Sequence, residues 1–225
     1  MKRLVIVAEG DAEESFVNSI LSPYFASLGL YNSIQCFKIK NSNGGVSKYS
    51  DVKRDLINTL YENDVIVSTM LDFYRLPSSF PGKREAATLP THQQQVEYIE
   101  EQLKNDIEST QECRFDNFIP YIQLHEFEAL VFSSIQGIDV LFEPTEFHRK
   151  ELMKVIEDFP NPEDINDQPD TAPSVRLMKL IPGYEKVLYG IDILHQHGML
   201  TLLDRCPHFC AWITKLESAL RRQDL

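Results

Sequence analysis

The stretch LVIVAEGDAEESFVNSIL, residues 4–21, decides the fold class. Its first five residues form a short apolar, β-branched run that stops at Glu9-Gly10, as a strand buried in a parallel sheet does. Asp11 is placed to cap a following helix, with Glu14 three positions on as its capping-box partner, and Phe16, Val17, Ile20 and Leu21 supply the apolar stripe. Strand, turn and helix in that order open a βαβ unit. Downstream, residues 34–39 alternate as a second strand, residues 41–47 (NSNGGVS) read as a loop, residues 52–61 as an amphipathic helix, and residues 65–71 as another buried strand closed by Asp72. Residues 72–90 hold Pro77, Pro81, Gly82 and Pro90, an irregular excursion of the kind that carries function. A helix is predicted over 91–107, a fourth strand over 118–123, and a helix from 125 whose first turn carries Glu126 and Glu128. The expected architecture is α/β, a mostly parallel sheet flanked by helices over residues 1–135, with residues 136–225 as a mostly helical extension packed on that core.

Composition narrows the functional classes. The chain has 225 residues, 43% hydrophobic and 25% charged, with no repeat and no low-complexity tract, so it has material for a large core. The apolar run of MKRLVIVAEG is too short for a signal peptide, and no segment reaches the roughly 18 apolar residues of a membrane span. Cys36, Cys113, Cys206 and Cys210 form no CxxC pair, which fits thiols of a reducing, cytoplasmic compartment. Cys206, His208 and Cys210 (CPHFC) have the wrong spacing for a zinc knuckle. The formal net charge of −12 argues against a protein that wraps duplexes, because nonspecific nucleic-acid affinity comes from Lys and Arg on phosphates. A nuclease stays open, since a metal site concentrates acids. No GxxxxGK[ST] loop is present, which removes the P-loop enzymes.

Three apolar runs each deliver carboxylates at or just after their ends: Glu9, Asp72, and Glu126 with Glu128. In an open α/β sheet the carboxyl ends of the strands line the ligand crevice, so these acids are placed to converge on one hard cation such as Mg2+ or Mn2+. The plain alternatives are a helix-capping Glu9 and a turn-initiating Asp72. Glu126 and Glu128 point to different faces of a helix but share one face of an extended segment; Glu128 is favoured, with Glu126 as a second ligand. His125 is a candidate base or ligand-orienting group, or simply a buried imidazole. Arg75, Lys83 and Arg84 give the 73–90 loop a basic character in an acidic chain, suited to a phosphate-bearing substrate. Asn166, Arg176, Tyr184 and Lys186 are further candidates for phosphate contacts.

The motifs AEGDAEE (8–14), LDFYRLPSSFPG (71–82), IQLHEFEALVF (122–132), INDQPDTAPSVR (165–176) and Tyr184-Glu185-Lys186 together resemble a Toprim-like family of small bacterial proteins classed as a domain of unknown function. HEFEALVF is the most specific of them. Toprim domains occur in topoisomerases, primases and the overcoming-lysogenization-defect nucleases. The resemblance implies a Rossmann-like sheet with a magnesium site in which Glu9 is the first-strand glutamate and Asp72 the first acid of a DxD pair. Tyr74 stands where that pair has its second acid, a departure from a standard two-metal site unless Glu126 or Glu128 replaces the missing ligand. The resemblance also implies an ATPase partner and a role in phage defence. The expected function is a Mg-dependent phosphodiesterase or nuclease acting on nucleic acid. The alternative is a noncatalytic Toprim-like regulatory or sensor subunit of an ATPase complex.

Overall fold

The computed structural model describes residues 2–39, 46, 48–165, 168 and 170–222. Most of the predicted 41–47 loop, and Asn166 and Asp167, lie outside the described residues. The elements run β1 (Arg3–Ala8), α1 (Asp11–Phe16), α2 (Ser22–Ser27), β2 (Ile34–Lys38), α3 (Tyr49–Leu60), β3 (Val65–Asp72), α4 (Lys83–Ala86), α5 (His92–Gln111), β4 (Phe118–Ile119), β5 (Ile122–Gln123), α6 (Gln136–Leu141), α7 (Arg149–Asp158), α8 (Pro173–Leu180), α9 (Ile191–Arg205) and α10 (Pro207–Arg221). A five-residue π-helical turn, Val17–Leu21, joins α1 to α2.

The sheet is parallel, in the order β2-β1-β3-β4, with β5 also paired to β3. Alternation along the strands divides the interior. Leu4, Ile6, Ile66 and Met70 face a core shared with Phe16, Phe25, Phe127, Phe209 and Trp212, whereas Val5, Val7, Val67 and Leu71 face one shared with Val52, Leu56, Val96, Ile99 and Leu103. Both faces of the sheet are thus covered by helices, which is why β1 and β3 read as apolar runs without a polar side. The C-terminal helices belong to the first core. Trp212 of α10 reaches the sheet and donates its indole Nε1 to Ser68 Oγ at 2.8 Å.

Several expected boundaries shift. The predicted fourth strand breaks into β4 and β5 around Pro120, which has no N–H to donate, and Thr69 repairs the break with its side chain. Its Oγ1 accepts from the Tyr121 amide at 2.8 Å and donates to the Tyr121 carbonyl at 2.7 Å. The helix predicted from His125 is a 3-10 segment, Phe127–Ser133, preceded by an extended Glu126 (φ −141°, ψ 154°). The first helix begins one residue earlier than the capping box requires. Gly10 is its N-cap without a side-chain bond, and Asp11 sits in the first turn, paired with Lys38.

Candidate functional site

β1 and β3 are adjacent and parallel, with Ala8 opposite Met70, so their carboxyl ends open at one edge of the sheet. There Glu9, Glu13, Asp72, Glu126 and Glu128 line a single cleft of about 320 Å³, with Gly10, Lys38, Arg75 and Lys186. Each acid comes from a different local device. Glu9 follows β1 and accepts the Asp72 backbone amide at 3.2 Å. Asp72 closes β3, and its Oδ1 accepts the Phe127 amide at 2.9 Å. Because Glu126 is extended, it and Glu128 both reach the cleft. Glu126 Oε2 takes the Ser174 amide at the start of α8, at 3.0 Å. Glu128 lies 3.2 Å from the Lys186 ammonium, which also stands 3.0 Å from Glu13 and 3.9 Å from Asp72.

The electrostatics follow from burial. All five acids are at most 5% exposed. Burial raises Glu9 to about 7, assisted by the neighbouring charge of Glu13 and opposed by the hydrogen bond from Asp72 and the charge of Lys186. Burial likewise holds Asp72 well above the ordinary carboxylate range, against the pull of Lys186, with Glu9, Glu13 and Glu128 adding to the rise. Glu128 is raised by burial, again opposed by Lys186. Lys186 itself is pulled down by desolvation, but Asp72, Glu128 and Glu13 outweigh that and keep it charged. With Lys38 taken up by Asp11, Lys186 and Arg75 are the cations that face these five acids, so carboxyl groups outnumber cations in the cleft.

The donor set suits a hard cation, which takes oxygen ligands and needs only one or two carboxylates while it keeps its waters. Glu9, Asp72 and Glu128 are the residues that would hold it. Among the described residues, no three His, Cys, Asp or Glu side chains already stand at direct-coordination spacing. The point that three carboxylates do surround is taken by Lys186.

The other predicted positions divide. Arg75 lines the cleft at its rim. Lys83 instead donates to the Phe73 carbonyl at 2.8 Å and lies over the Phe73 ring, and Arg84 is exposed on α4 away from the cleft lining. Arg176 donates to the Thr171 carbonyl at 2.6 Å and lies over the Phe159 ring. His125 is fully buried with a positive φ of 60°, packed edge-on to His92, and does not line the cleft. Tyr74 is 44% exposed and likewise outside the lining. Cys206 contacts Ser133, while His208 faces Glu100, so the CPHFC side chains have separate partners.

A family model for a domain of unknown function, DUF4276, matches residues 8–217. The chain belongs to the DUF4276 family. No curated protein and no solved structure matches it. The matched span of this DUF4276 chain contains every acid of the cleft together with Arg75 and Lys186. Among the five buried acids of the cleft, Glu13 is the one that sequence reasoning missed, since the capping pattern points to Glu14. The signal was there: Glu13 precedes Phe16, Val17 and Ile20 at helical spacings of three, four and seven, which puts it on the buried face. No helix among the described residues is long and apolar enough to cross a membrane.

Proposed function

We propose that this DUF4276 chain is a Toprim-type phosphodiesterase or nuclease that works with Mg2+ or Mn2+. The observation that carries the reading is the convergence of Glu9, Asp72 and Glu128, from three separate segments, on one acid-rich cleft at the carboxyl edge of the sheet. A bound divalent cation would supply charge neutralisation at the scissile phosphate and an acidified water. The chain's own residues do the rest. Arg75, at the cleft rim, offers a fork for a phosphate oxygen, and Lys186 pairs with Glu13 and Glu128 until the cation binds. Glu126, tied to the Ser174 amide, fixes the wall between the sheet and α8. The acidic surface makes an autonomous grip on long duplexes unfavourable, which suits a cytoplasmic protein that receives nucleic acid through an ATPase partner, as in phage defence.

A second reading has its own support. Lys186 neutralises Glu13 and Glu128, and Tyr74 stands at the second acid position, as in a noncatalytic sensor or regulatory subunit that keeps the shape without the chemistry. Incubation of the purified protein with labelled single-stranded DNA, duplex DNA and RNA, with Mn2+ and then with EDTA, separates the two. Chelator-sensitive cleavage that disappears in Asp72→Asn supports the enzyme. No cleavage of any substrate favours the subunit.

A further inference from the structure

We propose that Lys186 is a displaceable internal counter-ion: it holds the acid cluster together when no divalent cation is bound and withdraws when one enters. The inference rests on the metal-site reading above. Its Nζ stands within 3.0 to 3.9 Å of Glu13, Glu128 and Asp72, so it occupies the point those carboxylates surround. The four partners differ in freedom. The side chains of Glu13, Asp72 and Glu128 are 3–6% exposed and sit on α1, β3 and the segment after β5, whereas the Lys186 side chain is 33% exposed.

The local backbone favours motion of the side chain alone. Lys186 opens a π-helical turn, Lys186–Gly190, after an extended Glu185. Tyr184 closes against that turn so tightly that a Cβ on Gly190 would lie 2.6 Å from the tyrosine hydroxyl. Beside it, Val187 and Leu188 are about half exposed, 49% and 53%, so the outer face of the turn is unpacked. A pinned backbone carrying a flexible four-carbon stem lets the ammonium swing toward the cleft mouth without refolding the turn. An ammonium and a divalent cation sharing the same carboxylates repel each other at this range, so occupancy by one disfavours the other.

Lys186→Met keeps most of the stem and removes the charge. Without metal it is expected to melt below the wild-type chain; saturating Mn2+ should close most of that gap, and Mn2+ should bind it at least tenfold more tightly by calorimetry. Binding no tighter than wild type would overturn the displacement idea while leaving the metal site standing. Binding to the variant alone would show that the cation does not displace Lys186 in the native chain, and would overturn the proposal. Absence of binding to both proteins would overturn both readings. If the variant does not fold, lysine Nζ NMR on the wild-type chain decides: Mg2+ should move the Lys186 signal to that of a solvent-exposed lysine, and an unmoved signal at saturation would contradict the proposal.

Discussion

The Asp72 carboxylate accepts the Phe127 backbone amide at 2.9 Å, joining the end of β3 to the segment that carries Glu126 and Glu128. This bond gives Asp72 a structural task in addition to its charge, and the two can be separated. Asp72→Asn keeps an acceptor and removes a buried charge, so its stability should stay level or rise. Asp72→Ala leaves the buried Phe127 amide without a partner, at a cost of about 1–3 kcal/mol. Denaturant titration of both variants checks the pair; equal stabilities would mean the hydrogen bond contributes nothing. Both variants should lose metal binding.

Trp212 is the sole tryptophan, 1% exposed, stacked on Tyr121 at 4.2 Å between ring centroids and donating to Ser68. It therefore reports on the contact between the C-terminal helices and the sheet. Trp212→Phe keeps an aromatic ring but loses the hydrogen bond and part of the stack, with an expected loss of roughly 1–3 kcal/mol. In the native chain its fluorescence should change together with far-ultraviolet circular dichroism during unfolding. A separate, earlier fluorescence transition would show the helical layer detaching by itself.

Much of this arrangement was legible in the chain, and the failures have physical causes. β1 and β3 announce themselves because a strand buried on both sides needs an apolar residue at nearly every position, and the acid ending each run is conspicuous for the same reason. Glu126 and Glu128 were found, but their helix was not, since only the extended conformation at Glu126 lets neighbours two apart face one cleft. Lys186 looked like a surface phosphate contact; its place beside Glu13 and Glu128 depends on how the C-terminal half folds back, which no local pattern encodes. Lys83 and Arg176 each donate to a nearby carbonyl and do not line the cleft, a local choice that their charge alone does not reveal.

His208 offers a pH test remote from the acid cleft. Burial pulls its pKa down, but the hydrogen bond and charge of Glu100, 3.0 Å away, and the charge of Glu163 outweigh burial and hold it above the ordinary value. A histidine whose folded pKa is raised stabilises the protein fully below its unfolded pKa of about 6.5, and the contribution fades as pH rises through the folded value. The stability difference between wild type and His208→Gln should therefore be larger at about pH 5.5 than at about pH 8.5. A gap that is flat, or that grows with pH, would show that His208 is neutral in the fold.

Glu126 has a role at α8 that Glu9 does not share. By accepting the Ser174 amide it satisfies one of the free N–H groups at that helix start, where Ala172 supplies no side-chain cap. Glu126→Ala should speed amide exchange in the first turn of α8 and cost about 1 kcal/mol, whereas Glu126→Gln should leave both nearly unchanged. Hydrogen exchange resolved to α8 makes the comparison.

On the proposed function, the cleft among Glu9, Asp72 and Glu128 holds a hard divalent cation. Anomalous diffraction from a crystal soaked in Mn2+ tests it most directly. The account predicts one strong peak in that cleft, bounded by carboxylate oxygens of Glu9, Asp72 or Glu128, with the Lys186 ammonium moved away. A cleft without a peak, and Lys186 still against Glu13 and Glu128 at saturating Mn2+, would contradict it.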